Sequence, residues 1–312
     1  MRHLQQLVYI DAVARTGSIR RAAQSLAITS TALNRRILAV EEDLGTPIFE
    51  RTGKGVRLSV AGEIFIHHVR QQMSDMERVK SQIADLHGER RGLVSVACGQ
   101  ALMQSFLPGL VSGYRAEHPY VDFSVGVCGR DEASDRLLDF SADIAVVFEP
   151  DVTAEVSVVM KVPQAVYAVM SSEHPLARKG TVTLSDCSQY PLAVPSRRSG
   201  LRALIEKAAI RQSVKLWVAV ESDSHDFLLK GLEDHQIIGF QISVATASGS
   251  MPDGIVAVRI GTRELADGSL VVLQQKGRTL PVAAARFLAQ LIDQLTRDTE
   301  CSHERQHKLD TE

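Results

Sequence analysis

"SIRRAAQSLAITSTALNRRI", Ser18 to Ile37, is a basic stretch in which two helix patterns meet at one break. Ile19, Ala22, Ala23 and Leu26 recur at helical spacing and share one apolar face. The pattern restarts at Thr29 or Ser30, both good N-cap residues, and continues through Leu33, Ile37 and Val40. Two helices joined by a turn of about three or four residues make a helix-turn-helix. The small side chains of Ala22 and Ala23 let a second helix come close, and Leu26 and Ile28 plug the corner. The second helix then presents Ser30, Thr31, Asn34 and Arg35 on its outer, N-terminal side, where this motif enters a DNA major groove. Arg reads guanine bidentately, Asn reads adenine, and a Thr methyl touches thymine. Arg20 and Arg21 suit phosphates, and Arg36 either serves the DNA backbone or solvates its helix. The competing reading is a helical hairpin with a solvated basic face.

The flanking segments bear on that choice. Leu4, Leu7, Val8, Ile10 and Ala14 recur at helical spacing, Gly17 stops that helix, and Ser18 can cap the next. Downstream, Gly45-Thr46-Pro47 ends the helical region, and "IFERTGKGVRLS" follows as two short β-rich arms around a glycine-bearing tip. Lys54 at that tip, with Arg51 and Arg57 beside it, suits a wing that touches a neighbouring groove or phosphate. From Gly62 to Arg91 there is no proline. Phe65, Val69, Met76, Val79, Ile83 and Leu86 give interleaved seven-residue spacings there, as in a coiled-coil seam. This reads as a dimerising helix, or as a helix packed on its own domain.

Charge separates the head from the body. The 312-residue chain carries a net charge of −2. Residues 1–61 hold nine Arg/Lys against five Asp/Glu, so the head is positive and the remainder negative. A basic head on an acidic body points to a polyanionic partner. The apolar share of 45% and charged share of 23% are ordinary for a globular chain with a sizeable core. No run approaches the roughly 20 apolar residues of a membrane span, so no membrane partner is expected. The N-terminus lacks the apolar block and cleavage site of a signal peptide, which makes the cytoplasm the expected compartment. Cys98, Cys128, Cys187 and Cys301 form no CxxC pair, so no metal site is expected and reduced thiols are.

From Gly92 the texture changes. "GLVSVAC", "VDFSVGV", "DIAVVF", "AVYAVM", "PLAVP", "LWVAVE", "QIIGFQ" and "GSLVVLQQ" read as short strands, with helical stretches such as Phe106–Glu117 and Leu201–Arg211 between many of them. The alternation predicts an α/β domain with largely parallel sheets. A last helix over Pro281–Leu295 precedes a polar tail, 299–312, expected to be disordered.

The first sixty or so residues resemble the winged helix-turn-helix of LysR-type transcriptional regulators. The matching residues are "GSIRRAAQSLAIT", "ALNRRI" and "EEDLGTPIFERTGKGVRLSVAGE", in order, spacing and length, followed by the start of a long helix. The strand and helix pattern beyond agrees as well. The chain departs from the family at the start of the recognition helix, where Thr29-Ser30-Thr31 replaces Ser-Gln-Pro, and at Asn34, where serine is frequent. These positions face outward, so base preference is affected rather than fold.

The resemblance implies a mixed fold class. A mainly α winged helix-turn-helix domain (1–61) is followed by a linker and dimerisation helix (62–91) and a two-lobed α/β effector-binding domain (92–298) resembling periplasmic binding proteins. Its lobe I is 92–163 with 266–298, and its lobe II is 164–265. It also implies a homodimer through the linker helix and a homotetramer. The function implied is sequence-specific binding of double-stranded DNA, modulated by a small-molecule effector between the lobes. The DNA-contacting candidates are Arg20, Arg21, Thr29, Ser30, Thr31, Asn34, Arg35, Arg36, Arg51 and Lys54.

In open α/β sheets ligands bind beyond the carboxyl ends of strands. Five segments qualify. "ACGQALMQS" contributes Cys98, Gly99, Gln100 and Ala101, with glycine and alanine where the family often offers hydroxyls. "VCGR" contributes Cys128 and Gly129. Phe148 ends a strand and is either a core or a rim aromatic. "VPSRRSGLR" contributes Arg197, Arg198, Ser199 and Gly200; Ser199 can cap the following helix, and either arginine can neutralise a carboxylate, which makes an anionic effector a candidate. "ESDSHDFL" contributes Ser224 and His225 at a helix start. His235 and Ile237 stand where relatives often carry Gly-x-Gly. No GxSxG elbow, HExxH helix or GxxxxGK loop is present, and no catalytic role or cofactor is expected.

Overall fold

The computed structural model describes residues 2–86, 91–104, 106–247, 251–261 and 265–309. The side chains of residues 2–4 and 299–309 lie outside that description, as do residues 310–312. The chain divides into two compact units, Met1–Gly88 and Glu89–Glu312.

The first unit holds α1 (Arg2–Thr16), α2 (Ile19–Ser25), α3 (Ser30–Leu44), strands β1 (Phe49–Thr52) and β2 (Gly55–Leu58), and α4 (Val60–Leu86). Each boundary has a local cause. Gly17 turns the chain at φ 61°, and Ser18 then caps α2 by accepting from the Arg21 N–H. Ala27, at φ 53°, makes the turn into α3. Thr29 caps α3 by accepting from the Ala32 N–H, and left-handed Gly45 closes it. Ala22 and Ala23 are fully buried against Tyr9, Val13, Leu33 and Ile37, so the two helices of the motif meet at close range. The wing is anchored by backbone: Val56 N–H donates to Gly17 O at 2.9 Å, and a β-carbon on Gly55 would lie 2.3 Å from that same oxygen. Glu41 Oε1 accepts from the N–H groups of Ile48 and Phe49 and ties α3 to the start of the wing. A second cluster, Leu7, Ile10, Ile48, Ile66 and Val69, packs α4 onto α1.

The second unit begins with β3 (Gly92–Cys98), α5 (Gln100–Met103), α6 (Phe106–Glu117), β4 (Val121–Val127), α7 (Ala133–Leu138), β5 (Ile144–Phe148) and β6 (Val156–Gln164). It continues with β7 (Val166–Ser171), β8 (Thr181–Val182), α8 (Leu184–Cys187), β9 (Leu192–Pro195), α9 (Gly200–Gln212), β10 (Val218–Ser222) and α10 (His225–Lys230). It closes with β11 (Gly239–Ile242), α11 (Ser243–Ala247), β12 (Ile255–Ile260), β13 (Gly268–Gln275) and α12 (Val282–Leu309). One sheet has the strand order β4-β3-β5-β13-β6 and a second has β11-β7-β12-β8. A parallel pair, β10-β9, is linked toward β11 by a bridge between Leu192 and Ile238. The chain leaves the first sheet after β6, builds the second, and returns through β13, which pairs with both β5 and β6.

Three expectations are corrected. The sheets are mixed rather than largely parallel: β13 runs antiparallel to β5 and β6, and β7 antiparallel to β11 and β12. The cause is the return connection, since a strand entering from the second sheet can fill the gap beside β5 in either direction. β6, β8 and β12 lie outside the expected strand set; β6 sits at the sheet edge with Val158 and Val159 about two-fifths exposed, so its burial pattern is irregular. The tail expected to be disordered from residue 299 instead continues α12 to Leu309, its last three residues lying outside the described part.

The larger core is continuous across both sheets. At one end Phe287 of α12 is fully buried, edge-on to Tyr114 and Phe123. Nearby, Asp143 accepts from Ser95 N–H and pairs with Arg278 at 2.5 Å.

Candidate functional sites

The head exposes a row of side chains along the start of α3. Ser30, Thr31, Arg35 and Arg36 are exposed and Asn34 is half-buried. Their positions share one helix face because residues three and four apart stack along the axis. Thr29 is exposed, but its Oγ1 already accepts from Ala32 N–H, so its primary work is capping. Arg36 lies 4.6 Å over the Tyr9 ring, which fixes its guanidinium by a cation–π contact. Arg21 reaches back and donates to the Thr16 carbonyl that ends α1. Arg20, Arg35, Arg51 and Lys54 are exposed, and none of the four makes an ion pair among the described residues. Arg57, beside the wing tip, is different: it donates two hydrogen bonds across the hairpin to Glu50. The ten candidates are thus divided between a recognition-helix row, the helix in front of it and the wing.

In the second unit a cavity of about 260 Å³ opens where the ends of β3, β4 and β5 face the β9–α9 loop, α10 and β11. Of the sequence candidates, Gly99, Gln100, Ala101, Cys128, Gly129, Phe148, Arg198, Ser199, Gly200 and His225 line it. Cys98, Arg197 and Ser224 do not. Cys98, the last residue of β3, is fully buried, and burial pushes its thiol up to about 12. Burial likewise raises Cys128 to about 11, so both thiols stay protonated and neither has the low pKa of a reactive cysteine. Arg197 points out and lies 3.9 Å from Glu206. The Ser224 hydroxyl is committed to capping α10 through Phe227 N–H. Ser199 occupies the N-cap position of α9, yet its side chain makes no capping bond, contrary to expectation.

Close backbone approach shapes the cavity. A β-carbon on Gly200 would fall 1.8 Å from the Phe148 carbonyl oxygen, so only glycine fits there. The Phe148 ring covers Gly268, where a β-carbon would sit 2.1 Å from Cζ. Phe148 is therefore both core and wall. Three bonds cross from one side of the cavity to the other. Arg130 N–H donates to Arg198 O at 2.9 Å, Arg198 pairs with Glu132, and His225 N–H donates to Gln100 Oε1 at 3.0 Å.

Several lining residues are absent from the candidate list, although Arg130 and Leu228 lie in the quoted stretches "VCGR" and "ESDSHDFL". Arg130 pairs with Asp151 at 2.6 Å and donates to Glu149 O. Gln241, only 1% exposed on β11, contacts the ring of His225 through its amide. Leu228, Leu229 and Leu232 form an apolar wall. Gln241 carries a signal that sequence could have revealed: it is a lone polar residue in an otherwise apolar strand. The leucines carry none, because apolar residues on a short helix read as core. His235 lies away from the cavity and contacts Ser171 Oγ through Nδ1 at 2.9 Å. Burial lowers the pKa of His225, which keeps its ring neutral at neutral pH.

Both parts of the chain match known families. Residues 4–63 match the family described as bacterial regulatory helix-turn-helix protein, lysR family. Residues 87–296 match the LysR substrate binding domain. The HTH-type transcriptional activator CmpR of a Synechocystis species is 23% identical over 91% of this chain and 93% of its own. The regulator CbbR of Rhodospirillum rubrum is 27% identical over 90% of this chain and 87% of its own. Full-length CbnR, solved in complex with its target DNA, superposes with a TM-score of 0.62 at 20% identity, over 95% of this chain and 99% of CbnR. The effector binding domain of QuiR, solved with shikimate, gives 0.55 at 16% identity, over 66% of this chain and 98% of that domain. Among the described residues no helix is long and apolar enough to cross a membrane. With a family match that spans two thirds of its length behind a matching helix-turn-helix, the chain belongs to the LysR family: it is a DNA-binding transcriptional regulator, not an enzyme, and its activity is modulated by an effector.

Proposed function

We propose that α3 enters the major groove of double-stranded DNA with Ser30, Thr31, Asn34 and Arg35 toward the base edges. Arg20, Arg21, Thr29 and Arg36 then meet the flanking phosphates, and Arg51 and Lys54 of the wing meet the neighbouring groove. The observation that carries this is the row on α3: it is outward-facing, and its Arg35 has no internal partner among the described residues. Arg57, neutralised by Glu50, contributes no free cation.

The effector, in this proposal, occupies the cavity between the lobes. The sequence boundaries stand as proposed domains: 1–61 for DNA, 62–91 as linker, 92–163 with 266–298 as lobe I, and 164–265 as lobe II. The chain pairs through α4, whose seam runs out of cover toward its end. Val69 is fully buried, but Val79, Ile83 and Leu86 are 38%, 52% and 85% exposed. A second copy of α4 would bury them. Two such dimers form the homotetramer, working in the cytoplasm.

The test is binding of the full chain to footprinted genomic sites across a salt series. Asn34→Ala is expected to weaken specific sites by about 1–3 kcal/mol and non-specific DNA much less. Equal loss on both would remove Asn34 from base reading. Lys54→Ala is expected to weaken all sequences and reduce the salt slope by about one.

A further inference from the structure

The cavity's cations are already spent, and a third carboxylate, the exposed Asp223, stands on its lining. Two arginines line it, Arg130 and Arg198, and each is met by a carboxylate of the chain, Asp151 and Glu132 respectively. Glu132 is held in place, because its other oxygen accepts from Gly129 N–H. Both cations stand toward the solvent side, with side chains 30% and 52% exposed. The N-terminus of α9, the longest helix that starts at the cavity, has the Phe148 carbonyl oxygen pressed against Gly200. A carbonyl oxygen there already answers the helix dipole.

The floor has the opposite character. Val169, Ala193 and Leu232 are at most 2% exposed, and no cation stands among them. The one polar side chain buried at that depth is Gln241, 1% exposed. Its Nε2 contacts Nε2 of the neutral His225 ring, and its Oε1 has no hydrogen-bond partner among the described residues. Turning the amide over exchanges the two atoms and leaves the same account, with one polar atom serving His225 and the other orphaned. An orphaned buried amide atom is costly, so a bound molecule that satisfies it gains affinity over one that does not.

We infer that the effector is a small molecule without an anionic group, with an apolar body and one hydroxyl or carboxamide group, which inserts that group against Gln241. A hydroxyl or an amide both donates and accepts, so it pairs with Gln241 in either amide orientation. A carboxylate at the same place would leave water without gaining a cation, and at the mouth it would compete with Glu132 and Asp151. This inference rests on the reading that the cavity holds the effector.

The experiment uses the full chain and three probes of one shape: cyclohexanecarboxamide, cyclohexylmethanol and cyclohexanecarboxylate. Binding is read by saturation-transfer NMR and by displacement of the protein's thermal transition. The expected result is binding of the amide or the alcohol, loss of at least tenfold in affinity in Gln241→Leu, and no binding of the carboxylate. Should the leucine variant fold poorly, the nearly isosteric Gln241→Met carries the same comparison. Glu132→Gln, which frees Arg198, is expected to admit the carboxylate; a merely structural Glu132 would not change the preference. Stronger binding of the carboxylate than of either neutral probe to the unaltered chain would overturn the inference while leaving the cavity as the effector site. Binding of no probe to the unaltered chain would overturn both. Binding of the neutral probes unaffected by either Gln241 variant would also overturn the inference.

Discussion

His225 N–H donates to Gln100 Oε1 at 3.0 Å, and this bond joins the start of α5 to the start of α10 across the cavity. The two residues are 125 positions apart and belong to different sheets' surroundings. Each sits at a helix start, where the backbone N–H groups lack helical partners. Gln100 supplies by side chain what the first turn of α10 cannot supply by itself. Gln100→Ala is expected to lower stability by about 1 kcal/mol. It should also accelerate amide exchange at His225, measured by hydrogen–deuterium exchange. Unchanged protection at His225 would show that the bond does not persist in solution.

Gly200→Ala is expected to destabilise the second unit by about 1–3 kcal/mol, the usual cost of overpacking. The added carbon would meet the Phe148 carbonyl at 1.8 Å, and backbone cannot swing away as a side chain can. Calorimetry of the full chain would show the loss in the transition of the second unit. Gly99→Ala, where a β-carbon meets nothing within 4 Å, is the control and should leave that transition unmoved.

Asp11 is 6% exposed on α1 and accepts from Arg15 Nε at 2.6 Å and from Arg70 Nε of α4 at 2.7 Å. It fastens the long helix to the head. Asp11→Ala removes the carboxylate these two guanidiniums share and is expected to cost on the order of 3 kcal/mol. Arg15→Ala should cost about 0–1 kcal/mol, because the Arg15 side chain is partly in solvent, 44% exposed. Denaturant unfolding followed by helix content reads both. Fluorescence would not, since the single tryptophan, Trp217, belongs to the other unit.

His174 is 2% exposed, accepts from Leu176 N–H through Nδ1, and has its pKa lowered by burial. The unfolded chain takes up a proton near the ordinary value of 6.5, and the folded chain does so only at lower pH. The stability contributed by neutral His174 is therefore complete above pH 6.5 and is lost as pH falls through the folded value. His225 shifts the same way and adds to the effect. His174→Asn keeps an acceptor for Leu176 N–H without a titrating ring. Its melting temperature should fall less steeply than that of the unaltered chain between pH 7 and pH 5. Parallel curves would remove His174 as the titrating group.

The helix-turn-helix was legible in the sequence because its causes are local. Ser18 and Thr29 cap helices through their own next turn, Gly45 ends α3 by its own dihedral, and Ala22 and Ala23 mark a close contact by their size alone. Gly99, Gln100, Cys128, Gly129, Phe148 and Gly200 were also legible as cavity lining, since each lies at or just beyond the carboxyl end of a strand or at the helix start that follows it. Long-range geometry decided the rest. Nothing near Arg198 in sequence announces Glu132, and nothing near Gln241 announces His225 as its neighbour. The direction of β13 likewise depends on what lies beside it in space. Whether Arg198 is a free cation or a neutralised one, and whether Gln241 is satisfied or orphaned, is a matter of distance between distant segments. Hydrophobic period and capping chemistry act within a few residues and carry no information about such distances. That is why the fold could be read along the chain, whereas the chemistry of the cavity emerged only from its closure.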